Sequence, residues 1–273
     1  MTEPQASAAA ARYTEQIVTQ KTVWLSDKLF SLTITRPAGF QFLPGQFARL
    51  GLAVDPNTPL TPSEWRAYSM VSAPSADELE FFSVVVPDGK FSPAMARLRV
   101  GDSLWINKTV FGFLTLESFS DGEDLWLLAT GTGLSAYLSM LRDPATFKRF
   151  KRIVVVHGVR QACELAYRNE LLALMEQNKT QLIYLPSTTQ ESLTLDLSPS
   201  LSATGLEPAR LTTLLASGQL EQRSDLLLDP SRSRVMLCGN PAMVTEMRAL
   251  LAQRGFAAGR RGVAGNLAVE NYW

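Results

Sequence analysis

The stretch Leu125-Trp126-Leu127-Leu128-Ala129-Thr130-Gly131-Thr132-Gly133-Leu134-Ser135-Ala136-Tyr137-Leu138-Ser139-Met140-Leu141 decides the fold class. Leu125 to Ala129 is an unbroken apolar run, as in a strand buried on both faces. Gly131 and Gly133 permit a tight turn, and Leu134 to Leu141 reads as a helix. Strand, glycine turn and helix make the opening unit of a parallel α/β sheet. Such glycines also let a backbone approach a phosphate, beside a helix N-terminus whose N–H groups favour anions. Many α/β proteins use the same turn for packing only, so alone it leaves both readings open.

Working toward the C-terminus, Ile153 to Val156 repeats the buried-strand signal and Ala162 to Gln177 follows with helical spacing. Leu182 to Leu185 is a third strand. Ser187 to Glu207 is polar and rich in Ser and Thr, which predicts a surface loop. Pro208 to Ser217 is a predicted helix, with Gly218 suited to its C-terminal cap. Val235 to Cys238 is a further strand. The last helix is well marked: Asn240 can cap it, Pro241 fits its first position and Gly255 ends it. Met243, Val244, Met247, Leu250 and Leu251 fall on one of its faces.

Toward the N-terminus the rhythm shortens. Gln16 to Trp24 is rich in β-branched residues, Ser26-Asp27 supplies a turn, and Leu29 to Thr35 alternates as a return strand. Phe47 to Leu52, Ser69 to Val71 and Leu79 to Val86 read as further strands, with turns at Pro44-Gly45 and Pro87-Asp88-Gly89. Short strands with regular turns predict a small antiparallel barrel. The expected organisation is a tail over 1–14, disordered and without the features of a signal peptide, then an antiparallel β-barrel domain over 15–120 and a doubly wound parallel-sheet α/β domain over 121–273.

Composition narrows the chemistry. Lys plus Arg equals Asp plus Glu at 26 each, so no global field favours nucleic acid or an anionic membrane. The two cysteines, Cys163 and Cys238, are too few for a disulfide framework or a thiolate-held iron–sulfur cluster. His157 is the sole histidine, which excludes a two-histidine zinc site and gives a hydrolytic triad little support; it reads as structural. No metal is expected. Redox chemistry in this chain would need an organic cofactor and a separate one-electron partner. No apolar run approaches the roughly 20 residues that span a bilayer, and the cytoplasm is the default expectation.

Four other segments have residue types suited to ligands, each with a plain structural alternative. In Arg66-Ala67-Tyr68-Ser69, a tyrosine ring can stack on a flat heterocycle, a hydroxyl can bond a ring nitrogen and a guanidinium matches a diphosphate. An exposed arginine and an interfacial tyrosine would look the same. Pro87-Asp88-Gly89-Lys90-Phe91-Ser92-Pro93 offers backbone N–H groups, an ammonium and a hydroxyl, as do ordinary hairpins. Cys238-Gly239-Asn240-Pro241 lies at a strand's C-terminal end, where α/β sheets bind ligands, although a buried cysteine is also a packing residue. Val269-Glu270-Asn271-Tyr272-Trp273 places two aromatic rings at the end of the sequence, to pack on protein or on a cofactor ring.

In their order along the chain, these motifs resemble the ferredoxin–NADP reductase family, in particular its bacterial ferredoxin/flavodoxin type. The resemblance rests on Phe42-Leu43-Pro44-Gly45-Gln46-Phe47, Arg66-Ala67-Tyr68-Ser69, Pro87 to Pro93, Ala129-Thr130-Gly131-Thr132-Gly133, Val156-His157-Gly158-Val159-Arg160, Cys238-Gly239-Asn240-Pro241-Ala242-Met243 and Glu270-Asn271-Tyr272-Trp273. It implies FAD in the barrel and NADP(H) in the α/β domain, with the C-terminal tail returning to the flavin. Arg66 would contact the FAD diphosphate, Tyr68 would stack on the isoalloxazine and Ser69 would bond near its N5. Ala67 and Val85 would line the same site. Lys90, Phe91 and Ser92 would hold the diphosphate, Tyr272 would cover the other flavin face and Trp273 would lie along the adenine end. Thr130, Gly131 and Thr132 would line the nicotinamide and pyrophosphate path, Thr132 also touching FAD. Gly239, Asn240 and Met243 would contact NADP, with Cys238 close to the nicotinamide. Glu270 resembles an acidic residue near the flavin that relays protons. Arg160, Ser187 and Arg210 would hold the 2′-phosphate. Here the match is incomplete, because Ser187-Thr188 stands where the family often has Ser-Arg.

The implied activity is hydride exchange between NADP(H) and FAD and single-electron exchange with ferredoxin or flavodoxin, by a monomer. Ser69, Cys238, Glu270 and Tyr272 would be its catalytic residues. Two alternatives stay open at this point: an NAD(P)H-dependent reductase serving free flavin or an oxygenase partner, and a nucleotide-binding interaction module without catalysis.

Overall fold

The computed structural model describes residues 12–55, 61–193, 207–260 and 263–271. By contacts the chain divides into two units. The first is Met1–Thr115 with Ser135–Asp143, the second Leu116–Leu134 with Pro144–Trp273.

The first unit is a six-stranded antiparallel sheet in the order β4-β3-β6-β1-β2-β5. Its strands are β1 (Tyr13–Leu25), β2 (Leu29–Thr35), β3 (Phe47–Leu52), β4 (Glu64–Ser69), β5 (Glu78–Val84) and β6 (Ser103–Asn107). β1 is long enough to pair with β6 through its first half and β2 through its second. Register shifts after Val18 and Val23 bend it, as bulges do, and help the sheet curl. The two end strands meet just past β4: Met70 bridges Phe81, and the Val71 N–H donates to the Glu80 carbonyl at 2.8 Å. This closes the barrel at one end. Inside lie Val18, Leu32, Ile34, Leu50, Leu79, Phe81 and Ile106, with Phe91 and Met95 from helix α1 (Phe91–Arg97). All of helix α2 (Leu134–Leu141) after its first residue belongs to the same unit: Ser139 Oγ donates to the Ser72 carbonyl at 2.7 Å. Just past it, Arg142 pairs with Glu80 at 2.6 Å.

The second unit is a parallel sheet in the order β11-β10-β7-β8-β9. The strands are β7 (Asp124–Thr130), β8 (Arg152–Val159), β9 (Leu182–Thr188), β10 (Ser233–Gly239) and β11 (Leu267–Asn271). Leu125 to Ala129, Ile153 to Val156 and Val235 to Cys238 are wholly buried, as expected of parallel strands covered on both faces. The helices are α3 (Pro144–Arg149), α4 (Arg168–Gln177), α5 (Leu211–Ala216), α6 (Gln219–Ser224) and α7 (Pro241–Gln253). Leu211, Leu214 and Leu215 of α5 and Val244, Met247 and Leu251 of α7 pack with Trp126, Val154 and Val235 of the sheet.

The sequence-based elements need several corrections. Tyr13 and Thr14 already belong to β1, so the tail is shorter than 14 residues; residues 1–11 lie outside the described region. The strand placed at Ser69 starts at Glu64, so Arg66 and Tyr68 sit inside it. The helix spacing over 162–177 is broken: a short 3-10 turn covers Ala162–Glu164, and Tyr167 in the left-handed region (φ 59°) starts α4 afresh. β9 runs on to Thr188, so Ser187 is in a strand and not in a loop. The helix placed from Pro208 starts at Leu211. Among the described residues no helix is long and apolar enough to cross a membrane.

Candidate functional site

In the first unit the candidate residues line one strand and the turn into α1. Among the described residues β4 is an edge strand, bonded through Glu64 to Ser69 to β3 alone. Beyond the Met70–Phe81 closure it therefore presents an open backbone edge, with Arg66 and Ala67 exposed on it. Arg66 pairs with Glu64 at 3.3 Å on the surface. Tyr68 is half-buried, its ring centroid 5.8 Å from that of Phe91. Ser83 Oγ donates to Tyr68 Oη at 3.3 Å, and burial raises the phenol's pKa, so Tyr68 is neutral. Ser69 is buried at the closed end of the strand.

The turn before α1 brings three more residues to the same unit. Lys90 is exposed at the head of the helix and Phe91 buries its ring beneath it. Ser92 Oγ accepts the Val86 N–H at 2.9 Å, which leaves its own hydrogen available to donate. Half-buried Val85 packs on the barrel core while its N–H donates to the Lys28 carbonyl at 2.8 Å. An open cleft of about 940 Å³ runs between the ends of β3 and β4 and helix α1, with Lys90, Arg97 and Trp105 on its walls. That volume is of the size that takes a nucleotide.

In the second unit β7 is flanked by β8, its sequence neighbour, on one side and by β10 on the other. The strand order thus reverses between β7 and β10, the place where open α/β sheets bind ligands, and the segments leaving their C-terminal ends lie against each other there. Those loops are Thr130 to Gly133 and Gly239 to Asn240. The Asn240 N–H donates to Thr130 Oγ1 at 2.9 Å, and Asn240 Oδ1 in turn accepts the N–H groups of Ala242 (2.9 Å) and Met243 (3.3 Å), capping α7. Met243 is half-buried in the first turn. A Cβ on Gly133 would lie 2.5 Å from the Cys238 carbonyl oxygen, so only glycine permits the two loops to approach this closely. A Cβ on Gly131 would meet nothing within 4 Å among the described residues, so the face of that loop is open to them.

Cys238 and Glu270 are register partners on β10 and β11. Cys238 is fully buried, so a ring reaches its sulfur only by displacing what covers it. Glu270 is half-buried with Oε2 lacking a hydrogen bond among the described residues, and burial pushes its carboxyl up to about 7. Tyr272 and Trp273 lie outside the described residues.

The three residues expected around a 2′-phosphate converge past β8 and β9, but not equally exposed. The Arg160 carbonyl accepts the N–H groups of Thr189 (3.3 Å) and Gln190 (3.0 Å), and the Ala209 N–H donates to the Thr188 carbonyl at 2.9 Å. These bonds bring Arg160 and Arg210, both exposed, to one end of the sheet. Ser187 is buried and spends its hydroxyl hydrogen on the Ala209 carbonyl at 3.0 Å, so it braces the Arg210 segment from below. Thr188 is buried too, its hydroxyl donating to the Glu191 carbonyl at 2.6 Å.

Two partners were not singled out from the sequence. Glu164 holds Arg160 twice, through its backbone N–H at 3.0 Å and its guanidinium at 3.2 Å. The four-residue spacing was the available signal. Ser83, beside Tyr68, comes from a strand paired far away in the sequence and left no local trace. Among the described residues no cluster of His, Cys, Asp and Glu could hold a metal ion.

The sequence model of the oxidoreductase NAD-binding domain family matches residues 127–249. The chain is 40% identical over 266 residues to ferredoxin–NADP reductase A of Sorangium cellulosum, covering 94% of this chain and 89% of that one. It is 37% identical over 257 residues to the flavodoxin/ferredoxin–NADP reductase of Escherichia coli, covering 94% and 97%. A crystal structure of a ferredoxin NADP+ reductase from Neisseria gonorrhoeae with bound FAD and NADP superposes with a TM-score of 0.86 at 34% identity, covering 96% of this chain and 99% of that one. Identity at this level along nearly the whole of each sequence leaves one assignment: the chain belongs to the ferredoxin/flavodoxin–NADP reductase family.

Proposed function

We propose that this protein is an FAD-dependent oxidoreductase that exchanges a hydride with NADP(H) and single electrons with ferredoxin or flavodoxin. The observation that carries the reading is the end-to-end match to a reductase holding both FAD and NADP. The residues present fit both groups. The open β4 edge, with Tyr68 and Arg66 on it, suits a flat ring joined to a diphosphate, and the open face of Gly131 with two exposed arginines suits a phosphorylated dinucleotide.

Bound FAD supplies a centre that takes two electrons as a hydride and gives them up singly. The chain's own residues bind and orient. On this reading Tyr68 offers its ring face, kept neutral by burial, and Ser69 a hydroxyl at the buried end of the strand. Ala67 and Val85 line the site. Arg66 turns from Glu64 to the diphosphate, and Lys90 and Ser92 add an ammonium and an O–H donor, with Phe91 beneath Tyr68. Thr130, Gly131 and Thr132 carry the pyrophosphate path of NADP, with Gly239, Asn240 and Met243 on its other side. Arg160 and Arg210 take the 2′-phosphate, with Ser187 acting through the backbone it braces. Glu270, held near neutrality, takes up or gives a proton at its carboxyl. Cys238, Tyr272 and Trp273 are assigned to the nicotinamide, the flavin face and the adenine end. FAD is assigned to the barrel over 15–120 and NADP to the α/β portion over 121–273. The protein works as a monomer in the cytoplasm, without a nucleic-acid or membrane partner.

The test is rapid mixing of the purified yellow protein with NADPH or NADH, following loss of flavin colour, then supplying ferredoxin, flavodoxin or free flavin. Bleaching by NADPH in preference to NADH, with turnover on a protein carrier, is expected. A colourless protein that cannot take up FAD, or turnover on free flavin alone, overturns the proposal.

A further inference from the structure

His157 has no part in the assignments above. It is fully buried on β8, opposite Ala129 of β7. Its Nε2 lies 3.1 Å from the Gly131 carbonyl oxygen. A carbonyl can only accept, so Nε2 carries the hydrogen and donates it. Nδ1 is then a bare nitrogen, buried without a hydrogen-bond partner among the described residues. A buried polar atom left unpaired is costly, and an aromatic hydrocarbon would fill the same space without that cost. Burial also holds the ring down at about 4, so it is neutral at physiological pH and keeps this one donor.

The bond falls at a residue whose outer face side-chain packing does not fix. Gly131 has φ +53°, and a Cβ there would touch nothing within 4 Å, so packing does not fix this face. Its carbonyl accepts from His157 and from the Leu134 N–H. The Gly131–Thr132 peptide unit is planar and trans. Holding its C=O toward the His157 ring therefore turns the Thr132 N–H the opposite way, away from that ring.

We propose that His157 is a positioning residue for the coenzyme: through the Gly131 carbonyl it orients the Gly131–Thr132 peptide so that its N–H faces the pyrophosphate of bound NADP. The inference rests on the reading of residues 130–132 as the pyrophosphate path.

The experiment titrates the FAD-loaded wild type and the variants His157→Gln, His157→Asn and His157→Phe with NADP+ and with 2′-AMP. Glutamine places an amide N–H at nearly the reach of Nε2; asparagine and phenylalanine do not. His157→Asn and His157→Phe are expected to weaken NADP+ binding about tenfold, and His157→Gln by about threefold or less. All three should bind 2′-AMP as the wild type does, because that ligand needs only the arginine end. If His157→Phe does not fold, His157→Asn carries the comparison. Equal loss in the Gln and Asn variants, unchanged NADP+ binding in Asn, or parallel loss of 2′-AMP overturns the inference. Failure of the wild type to bind NADP+ overturns instead the functional reading beneath it.

Discussion

The backbone N–H of Asn240 donates to the side-chain oxygen of Thr130 at 2.9 Å, tying the loop after β10 to the loop after β7 where the strand order reverses. The contact exists because Gly239, the last residue of β10, precedes Asn240. Its φ is +130°, and an added Cβ would lie 2.6 Å from the Thr130 carbonyl oxygen and 2.9 Å from its nitrogen. Both obstacles are backbone and cannot swing aside. Gly239→Ala should therefore cost about 2–4 kcal/mol and weaken NADP+ binding at least tenfold. Thr130→Val keeps the shape but removes the acceptor, and should cost only about 1 kcal/mol. Thermal melts and NADP+ titrations of the two variants check the order; an alanine variant as stable as the wild type refutes the argument.

Glu270 makes stability depend on pH. Burial lifts its carboxyl from 4.5 to about 7 in the folded chain. Between those values the folded state keeps a proton that the unfolded chain has released, so folding takes up a proton and stability falls as pH rises. The loss is complete above about 7. After discounting for partial exposure, it amounts to about 2 kcal/mol. Glu270→Gln has no such proton to lose. Denaturant midpoints of the FAD-loaded proteins at pH 5 and pH 8 should show the wild type losing about 1.5 kcal/mol more than the variant, the rest of the loss lying below pH 5. Identical pH dependence would show that this carboxyl is solvated.

What could be read from the sequence was what local chemistry determines. Asn240, Pro241 and Gly255 mark α7 because capping involves only neighbours, and the structure has Asn240 as the cap and Gly255 at φ +87°. The buried runs of β7, β8 and β10 are apolar throughout, so they stand out with no knowledge of their partners. Helix α1 does not: seven residues with Pro93 inside read as a turn, and Phe91 and Met95 make it a helix by burying into the barrel four residues apart. β6 and β11, of five residues each, take their strand form from β1 and β10. The candidate site divides in the same way. Arg66, Tyr68, Arg160 and Gly131 carry recognisable residue types. The burial of Ser187, Thr188 and Cys238 depends on tertiary packing, and no motif announces it.

Coenzyme choice should rest on two exposed guanidiniums. Arg160 is oriented by Glu164, and the chain at Arg210 is anchored to β9 through Ala209. A charge-assisted bond to a phosphate contributes about 1.5–3 kcal/mol. Arg160→Ala and Arg210→Ala should each lower kcat/KM for NADPH by about 10- to 100-fold and leave that for NADH within about threefold. A variant that loses activity equally with both coenzymes would move its arginine out of the 2′-phosphate site. Thr188→Arg should not sharpen the preference, since the position is buried and its hydroxyl is engaged by Glu191. It should lower stability.

Stability of the second unit should depend on one ion pair at the other end of its sheet. Asp124, at the start of β7, is wholly buried; Oδ2 accepts from Arg232 Nε at 2.8 Å and Oδ1 has no hydrogen bond among the described residues. Arg232 also reaches Glu123 at 3.1 Å, but that carboxylate is exposed and is shared with Lys151. The two contacts should differ sharply in worth. Arg232→Ala leaves the buried carboxylate without this partner and should lower the melting temperature clearly more than Glu123→Ala does. Glu123→Ala removes only solvated pairs and should cost less than about 1 kcal/mol, less still in high salt. If the buried charge is the cause, then Asp124→Asn in the Arg232→Ala background recovers part of the loss. No recovery would assign the effect instead to the lost packing of the arginine stem.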